Sequence, residues 1–208
     1  MLSWSSLAVF VSIVLVIVVT PGPNTLYIVA RSLHGGYYAG LASCLGILLA
    51  TATHIVAASV GLTALLSSSP LIFNIIKYAG ALYLIWVGVR TITSKHNSET
   101  TVQTERTKVG AIVYQGFVIN LLNPKTALFF LAFLPQFVNT SVGRVKEQII
   151  LLGVILAILG TISDSLYALV AGRARRWLQK NFLFVRSLRY VSASIYIGLG
   201  LFAAVKTI

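Results

Sequence analysis

Four acidic residues occur in this chain, and three of them sit at polar positions: Glu99 and Glu105 in one hydrophilic stretch, Glu147 at the edge of an apolar run. Asp164 alone lies deep within such a run, GTISDSLYALVAG (160–172). An isolated carboxylate at the centre of a bilayer costs about 2.5–3.5 kcal/mol even on the mildest scales. Asp164 must therefore face a protein interior and find a partner. Lys125, the one base inside an apolar run, is the evident countercharge. Such a pair could bind a zwitterion or pass a proton, or serve as a structural salt bridge or Asp–hydroxyl network. An intramembrane ion is a functional-site candidate by default, which makes Asp164 a candidate for substrate binding and for proton coupling.

A second set of residues concerns the backbone. Gly22-Pro23-Asn24-Thr25 and Asn123-Pro124-Lys125-Thr126 each interrupt an apolar run, and each is followed by another, LYIVA and ALFFLA. Proline removes a donor and clashes with the carbonyl four residues earlier, so it breaks a helix. It also suits the first position of a new helix after a cap such as Asn or Gly. Each break would leave two half-helices, with a positively polarised N-terminus able to bind a carboxylate. Gly22, Pro23, Asn24, Asn120, Asn123, Pro124 and Lys125 are the candidates for that site; plain proline kinks that only shape packing are the alternative.

The elements that must position these residues follow from composition. Hydrophobic residues make up 57% of the 208 residues and charged residues 10%, where a soluble domain carries about 25% charge. A spanning helix needs about 20 mainly apolar residues. Six segments qualify, approximately 6–30, 39–66, 71–92, 110–138, 148–171 and 186–205, joined by connectors at 31–38, 67–70, 93–109, 139–147 and 172–185. Barrel strands would alternate apolar and polar residues, and these segments do not. No Lys or Arg precedes Arg31, so the first segment lacks the basic start of a secretory signal and reads as retained.

The net charge of +12 is an orientation signal. Of the 16 Lys+Arg, 11 flank the odd-numbered connectors, 4 the even ones and the C-terminus, and Lys125 alone lies inside a span. Basic residues mark cytoplasmic loops, which places both termini outside. The connector GRARRWLQKNFLFVR (172–186) reads as an anionic-lipid contact with Trp177 as anchor. A nucleic-acid partner is the weaker reading of that charge.

The halves of the chain resemble each other. The proline breaks occupy the first span of each half, and Tyr78, Ala81, Ile85 and Gly88 align with Tyr190, Ala193, Ile197 and Gly200. Three crossings reverse the second half in the bilayer, which makes an inverted repeat of the kind built around a midplane site in secondary transporters. The expected architecture is an all-α membrane protein of six transmembrane helices in one domain: a repeat over 1–93, a cytoplasmic linker over 94–109 and a second repeat over 110–208. Small residues line one face of span two (Ala42, Gly46, Ala50, His54, Ala58) and of span five (Gly153, Ala157, Gly160, Thr161, Asp164, Ala168). They allow close helix approach, within one chain or between copies in a homo-oligomer. His54 reads as a hydrogen-bonded packing element, with a proton relay as the alternative. Thr51 and Gln115 are further polar candidates, and Tyr27, Tyr83, Trp86 and Tyr167 are packing or interfacial residues.

Enzymatic chemistry fares poorly. No glycine-rich phosphate loop, HExxH or nucleophile elbow is present. One cysteine, Cys44, excludes a disulfide framework and a multi-cysteine metal site. No cofactor is implied. A cation or metal exporter, a channel, and an intramembrane subunit without transport activity remain as rivals to a coupled transporter.

Several motifs resemble the lysine-exporter (LysE/RhtB) family of bacterial inner-membrane amino-acid efflux proteins: TPGPN (20–24), GGYYAG (35–40), YAGALYLIWVGVR (78–90), GFVINLLNPKTALFFLAFLPQF (116–137) and SDSLYAL (163–169). The resemblance covers essentially the whole chain. It implies export of amino acids or close derivatives through a six-helix, inverted-repeat bundle, driven by the proton-motive force, with functional positions at Pro21, Gly22, Pro23, Asn24, Asn120, Asn123, Pro124, Lys125 and Asp164; alternating access is the mechanism expected of such a bundle. Many members carry an acidic residue in the second helix, where this chain reads GILLATATHIVAA (46–58) with none. That departure disfavours a basic substrate and points to neutral or homoserine/threonine-type amino acids.

Overall fold

The computed structural model describes residues 3–68 and 108–173, with isolated helical positions at Ile75, Tyr78, Ala79, Leu82, Ile85, Trp86 and Val89 and at Ser194, Ile197, Gly198 and Leu201. Apart from those positions, the expected third and sixth spans lie outside the described residues, as do nearly all of the 93–109 and 172–185 connectors. Among the described residues there are helices and no strands. Helix α1 covers Trp4–Val19, α2 Pro23–Ser68, α3 Val109–Leu121, α4 Pro124–Leu128 and α5 Val145–Arg173. Between α4 and α5 the chain makes a π-helical turn at Phe129–Phe133 and short 3-10 turns at Leu134–Phe137 and Thr140–Val142.

Both proline breaks form as their residue types dictate. The Asn123 side chain accepts from the Lys125 amide at 3.0 Å, and Pro124 opens α4. Gly22 stands in the corresponding place before Pro23, its carbonyl accepting from the Leu26 amide at 2.9 Å. Leu122 and Asn123 separate α3 from the helical stretch Pro124–Phe137, and the two are bent by 47°. Pro23–Gly61 and Val145–Arg173 are long and apolar enough to cross a membrane, and the bent pair would qualify as one broken span.

One boundary differs from expectation. The 31–38 connector is a tight turn and not an open loop: helix enters it from both sides, and the two helical segments of α2 meet across a kink at Gly36, at φ 75° and ψ 178°. Glycine enters that region without the steric cost a Cβ brings. Arg31 and Ser32 are buried, and a buried backbone needs internal hydrogen bonds, which helix carried up to the kink supplies and an open connector would not.

Helix α2 packs along both α3 and α5. A Cβ on Gly46 would strike the Val113 carbonyl of α3, and one on Gly116 would sit 2.7 Å from the Ser43 carbonyl of α2. Against α5, a Cβ on Gly153 would meet Ile55 at 2.7 Å. The small-residue faces therefore turn inward, with Gly46, Ala50, Ala58, Gly153 and Ala168 all buried. Phe10, Val14 and Ile17 of α1 join Phe129, Phe133, Phe137, Leu152 and Leu156 in the main apolar core. Facing outward on α5 is an exposed stripe of Leu151, Val154, Ile158, Ile162, Leu166 and Val170, the apolar exterior that a bilayer covers.

Replacing Gly46 by Ala should cost about 1–3 kcal/mol by overpacking against α3. Gly61 has nothing within 4 Å of its would-be Cβ, so Gly61→Ala should be neutral or mildly stabilising. Thermal unfolding of the two detergent-solubilised variants checks the contrast.

Candidate functional site

The two breaks meet inside the protein and are tied by asparagines. Asn24 Nδ2 donates to Asn120 Oδ1 at 2.8 Å, and Asn123 Nδ2 donates to Asn24 Oδ1 at 2.9 Å. Asn120 Nδ2 donates onward to the Ile47 carbonyl at 2.7 Å and to Thr51 Oγ1 at 2.9 Å. Thr126 Oγ1 donates to Asn120 Oδ1 at 2.8 Å. Asn120 is 1% exposed and Asn123 2%. A carboxamide offers two donors and a two-fold acceptor, and Asn120 has all of these engaged. It joins α3 to both segments of α2 and to α4.

The same breaks strand the C-terminal carbonyls of α1, and other elements satisfy them. Thr20 turns its own amide back to Val16 and Ile17, at 3.1 and 3.2 Å. Lys125 Nζ donates to the carbonyls of Ile17 and Thr20, both at 2.8 Å. From α5, Ser163 Oγ donates to the Val18 carbonyl at 3.0 Å and Tyr167 OH to the Val19 carbonyl at 2.7 Å. Four consecutive carbonyls thus accept from three side chains distant in the chain.

Between these features lies a partly open cavity of about 80 Å³. Of the eight substrate-binding candidates, Gly22, Asn24, Asn120, Asn123, Lys125 and Asp164 line it. Pro23 and Pro124 do not; they set the helix starts on which the liners stand. Thr51 lines the cavity too. Gln115 does not: Arg31 and Tyr27 donate to its Oε1, and Tyr27 OH also reaches the Ile112 carbonyl at 2.9 Å. His54 stacks on Phe130 with ring centroids 5.6 Å apart, its Nε2 lying 3.3 Å from the Asn120 carbonyl. That is the packing role its sequence context favours.

Reading the sequence for charge and asparagine missed three hydroxyl liners, Thr25, Thr126 and Thr161, and an apolar wall of Ile47, Leu48, Phe129 and Leu156. Thr25 and Thr126 close the two aligned break motifs, so the repeat itself held the signal. The apolar liners look like any membrane-helix residue in one dimension. One carboxylate, one ammonium, amide and hydroxyl groups and an apolar wall together suit a small zwitterion with a neutral side chain.

Against known proteins, the family model described as LysE type translocator matches residues 15–207. The membrane protein YrhP of Bacillus subtilis (strain 168) is 28% identical over 205 residues, covering 94% of this chain and 97% of its own. The membrane protein slr1627 of Synechocystis is 27% identical over 207 residues, with 99% and 98% covered. The leucine efflux protein of Salmonella typhimurium (strain LT2) is 31% identical over 143 residues, 68% of each chain. No solved structure matches the chain.

Truncating Asn120 strands several buried donors and acceptors, each worth about 1–3 kcal/mol when left unpaired. Asn120→Ala should therefore lower unfolding free energy by more than Thr51→Ala, which removes only one of its partners. Chemical denaturation of the two variants in the same detergent measures the difference.

Proposed function

The chain belongs to the LysE type translocator family, and we propose that it exports small neutral amino acids from the cytoplasm across the bacterial inner membrane. The carrying observation is that Gly22, Asn24, Asn120, Asn123, Lys125 and Asp164, drawn from both halves of the chain, converge on one cavity at two crossed helix breaks. Irregular backbone at membrane depth is tolerated where protein or a cavity satisfies it, and half-helix termini at such a point are where secondary transporters bind substrate. In this reading the helix start at Pro23 and the Asn24 and Asn123 amides take the substrate carboxylate, with Lys125 adding positive potential. Asp164 takes the substrate ammonium or, in exchange for it, a proton. Leu48, Phe129 and Leu156 accommodate the side chain, which the leucine efflux relative supports. The absence of any acid in the second span disfavours lysine and arginine and leaves room for apolar or homoserine/threonine-type substrates.

Six spans in two inverted repeats, with both termini outside, complete the proposal. It rests on the paired breaks and on the distribution of Lys and Arg. Alternating access then exposes the cavity to one side at a time, and the proton-motive force drives export.

Efflux of a neutral amino acid from preloaded proteoliposomes should collapse to background in Asp164→Asn while insertion and folding persist. Undiminished efflux that still responds to the proton gradient would refute the role of Asp164. Alkaline phosphatase fused to the C-terminus should be active outside the cytoplasm, whereas a fusion after Thr100 should be inactive. The reverse pattern would invert the orientation.

A further inference from the structure

We propose that the Lys125 ammonium is a tethered resident cation. It bridges two carbonyls, of Ile17 and Thr20, at the C-terminal end of α1, a position that a small monovalent cation would otherwise enter, and by bridging them locks the two helix breaks together.

Charge and geometry both support this. The C-terminal end of a helix carries roughly half a negative charge, and α1 has no basic residue in its own last turn to offset it. Of the carbonyls at that end, those of Val18 and Val19 receive neutral hydroxyls from Ser163 and Tyr167, and that of Ile17 also accepts the Thr20 amide at 3.2 Å. Those of Ile17 and Thr20 converge instead on a single point, 2.8 Å from each, and the ammonium nitrogen occupies it. Unwound carbonyls and helix C-termini at a helix break are what sodium-coupled transporters use to coordinate their ion. Here the cation is covalently part of the other half of the chain.

The origin of that cation is informative. Lys125 is the second residue of α4, the end of a helix where a positive charge is disfavoured. Its placement is unfavourable for its own helix and favourable for α1. The side chain therefore connects the positive pole of one break to the negative pole of the other. Removing the ammonium would leave a cluster of partial negative charge in a low-dielectric site, where an uncompensated group is costly. This inference concerns the architecture of the site and does not depend on the substrate assignment.

The test uses full-length Lys125→Ala, purified in detergent without amino acid and melted in choline, sodium, potassium or methylammonium chloride at equal ionic strength. In choline the variant should melt about 5–10 °C below the wild type. Methylammonium or sodium should recover at least half of that loss along a saturating curve, while the wild type responds to none of the salts. A variant as stable as the wild type in choline overturns the proposal, and so does a loss that no cation restores. Should Lys125→Ala yield no protein, Lys125→Gln, which keeps N–H donors but no charge, takes its place under the same criteria. The readout is stability without substrate, so its failure leaves the efflux reading standing, and failed efflux leaves this one standing.

Discussion

Everything near the cavity follows from one constraint: a helix broken inside a membrane protein exposes backbone groups that must be hydrogen-bonded there. Each unsatisfied group in hydrocarbon costs several kcal/mol by transfer estimates, about 4–8 for an amide with no partner. Two breaks double the demand. The protein meets it by crossing the breaks so that each supplies what the other lacks. Asn123 caps its own helix through its side-chain oxygen and binds Asn24 through its nitrogen. Lys125, one residue after the second proline, reaches back to the end of α1. The site is polar because the broken backbone requires it, and that polarity is then available to a ligand.

Close helix packing serves the same arrangement. Asn120 reaches the Ile47 carbonyl and Thr51 only because α3 lies almost backbone-to-backbone against α2, where Gly46 and Gly116 face Val113 and Ser43. A side chain at either glycine would push α3 outward and pull Asn120 from its partners. The glycine contact and the asparagine network are thus one structural unit. Helix α5 contributes along its small-residue face, with Ser163 and Tyr167 on α1 and Asp164 in the cavity. The one intramembrane carboxylate is thereby flanked by residues that anchor its helix to the first break.

Family membership and cavity chemistry reinforce each other at different levels. The match over residues 15–207 identifies a membrane translocator. The cavity brings one carboxylate and one engaged ammonium together with amides, hydroxyls and apolar side chains, the groups on which the proposal of a neutral amino-acid substrate rests.

Much of this was legible in one dimension, for a physical reason. Proline acts on the backbone through its own ring, so Gly22-Pro23 and Asn123-Pro124 announce the breaks and their caps with no help from neighbours. Scarcity of charge in an apolar chain likewise marks Asp164 and Lys125, because hydrocarbon penalises a charge wherever the helix packs. Small residues spaced by four announced the inward faces of α2 and α5. What sequence could not decide depends on which element lies opposite. The extension of helix into residues 31–38, up to the kink at Gly36, accompanies the burial of Arg31 and Ser32, which their residue types argue against. The Lys125 ammonium shares the cavity with Asp164, as its charge leads one to expect, but only the crossing of the breaks also puts it on Ile17 and Thr20. Local chemistry, then, determined where the chain breaks and which residues are exceptional there. Their partners were decided by the tertiary structure alone, because a hydrogen bond between Asn24 and Asn120 or between Tyr167 and Val19 has no trace in the spacing of either residue along the chain.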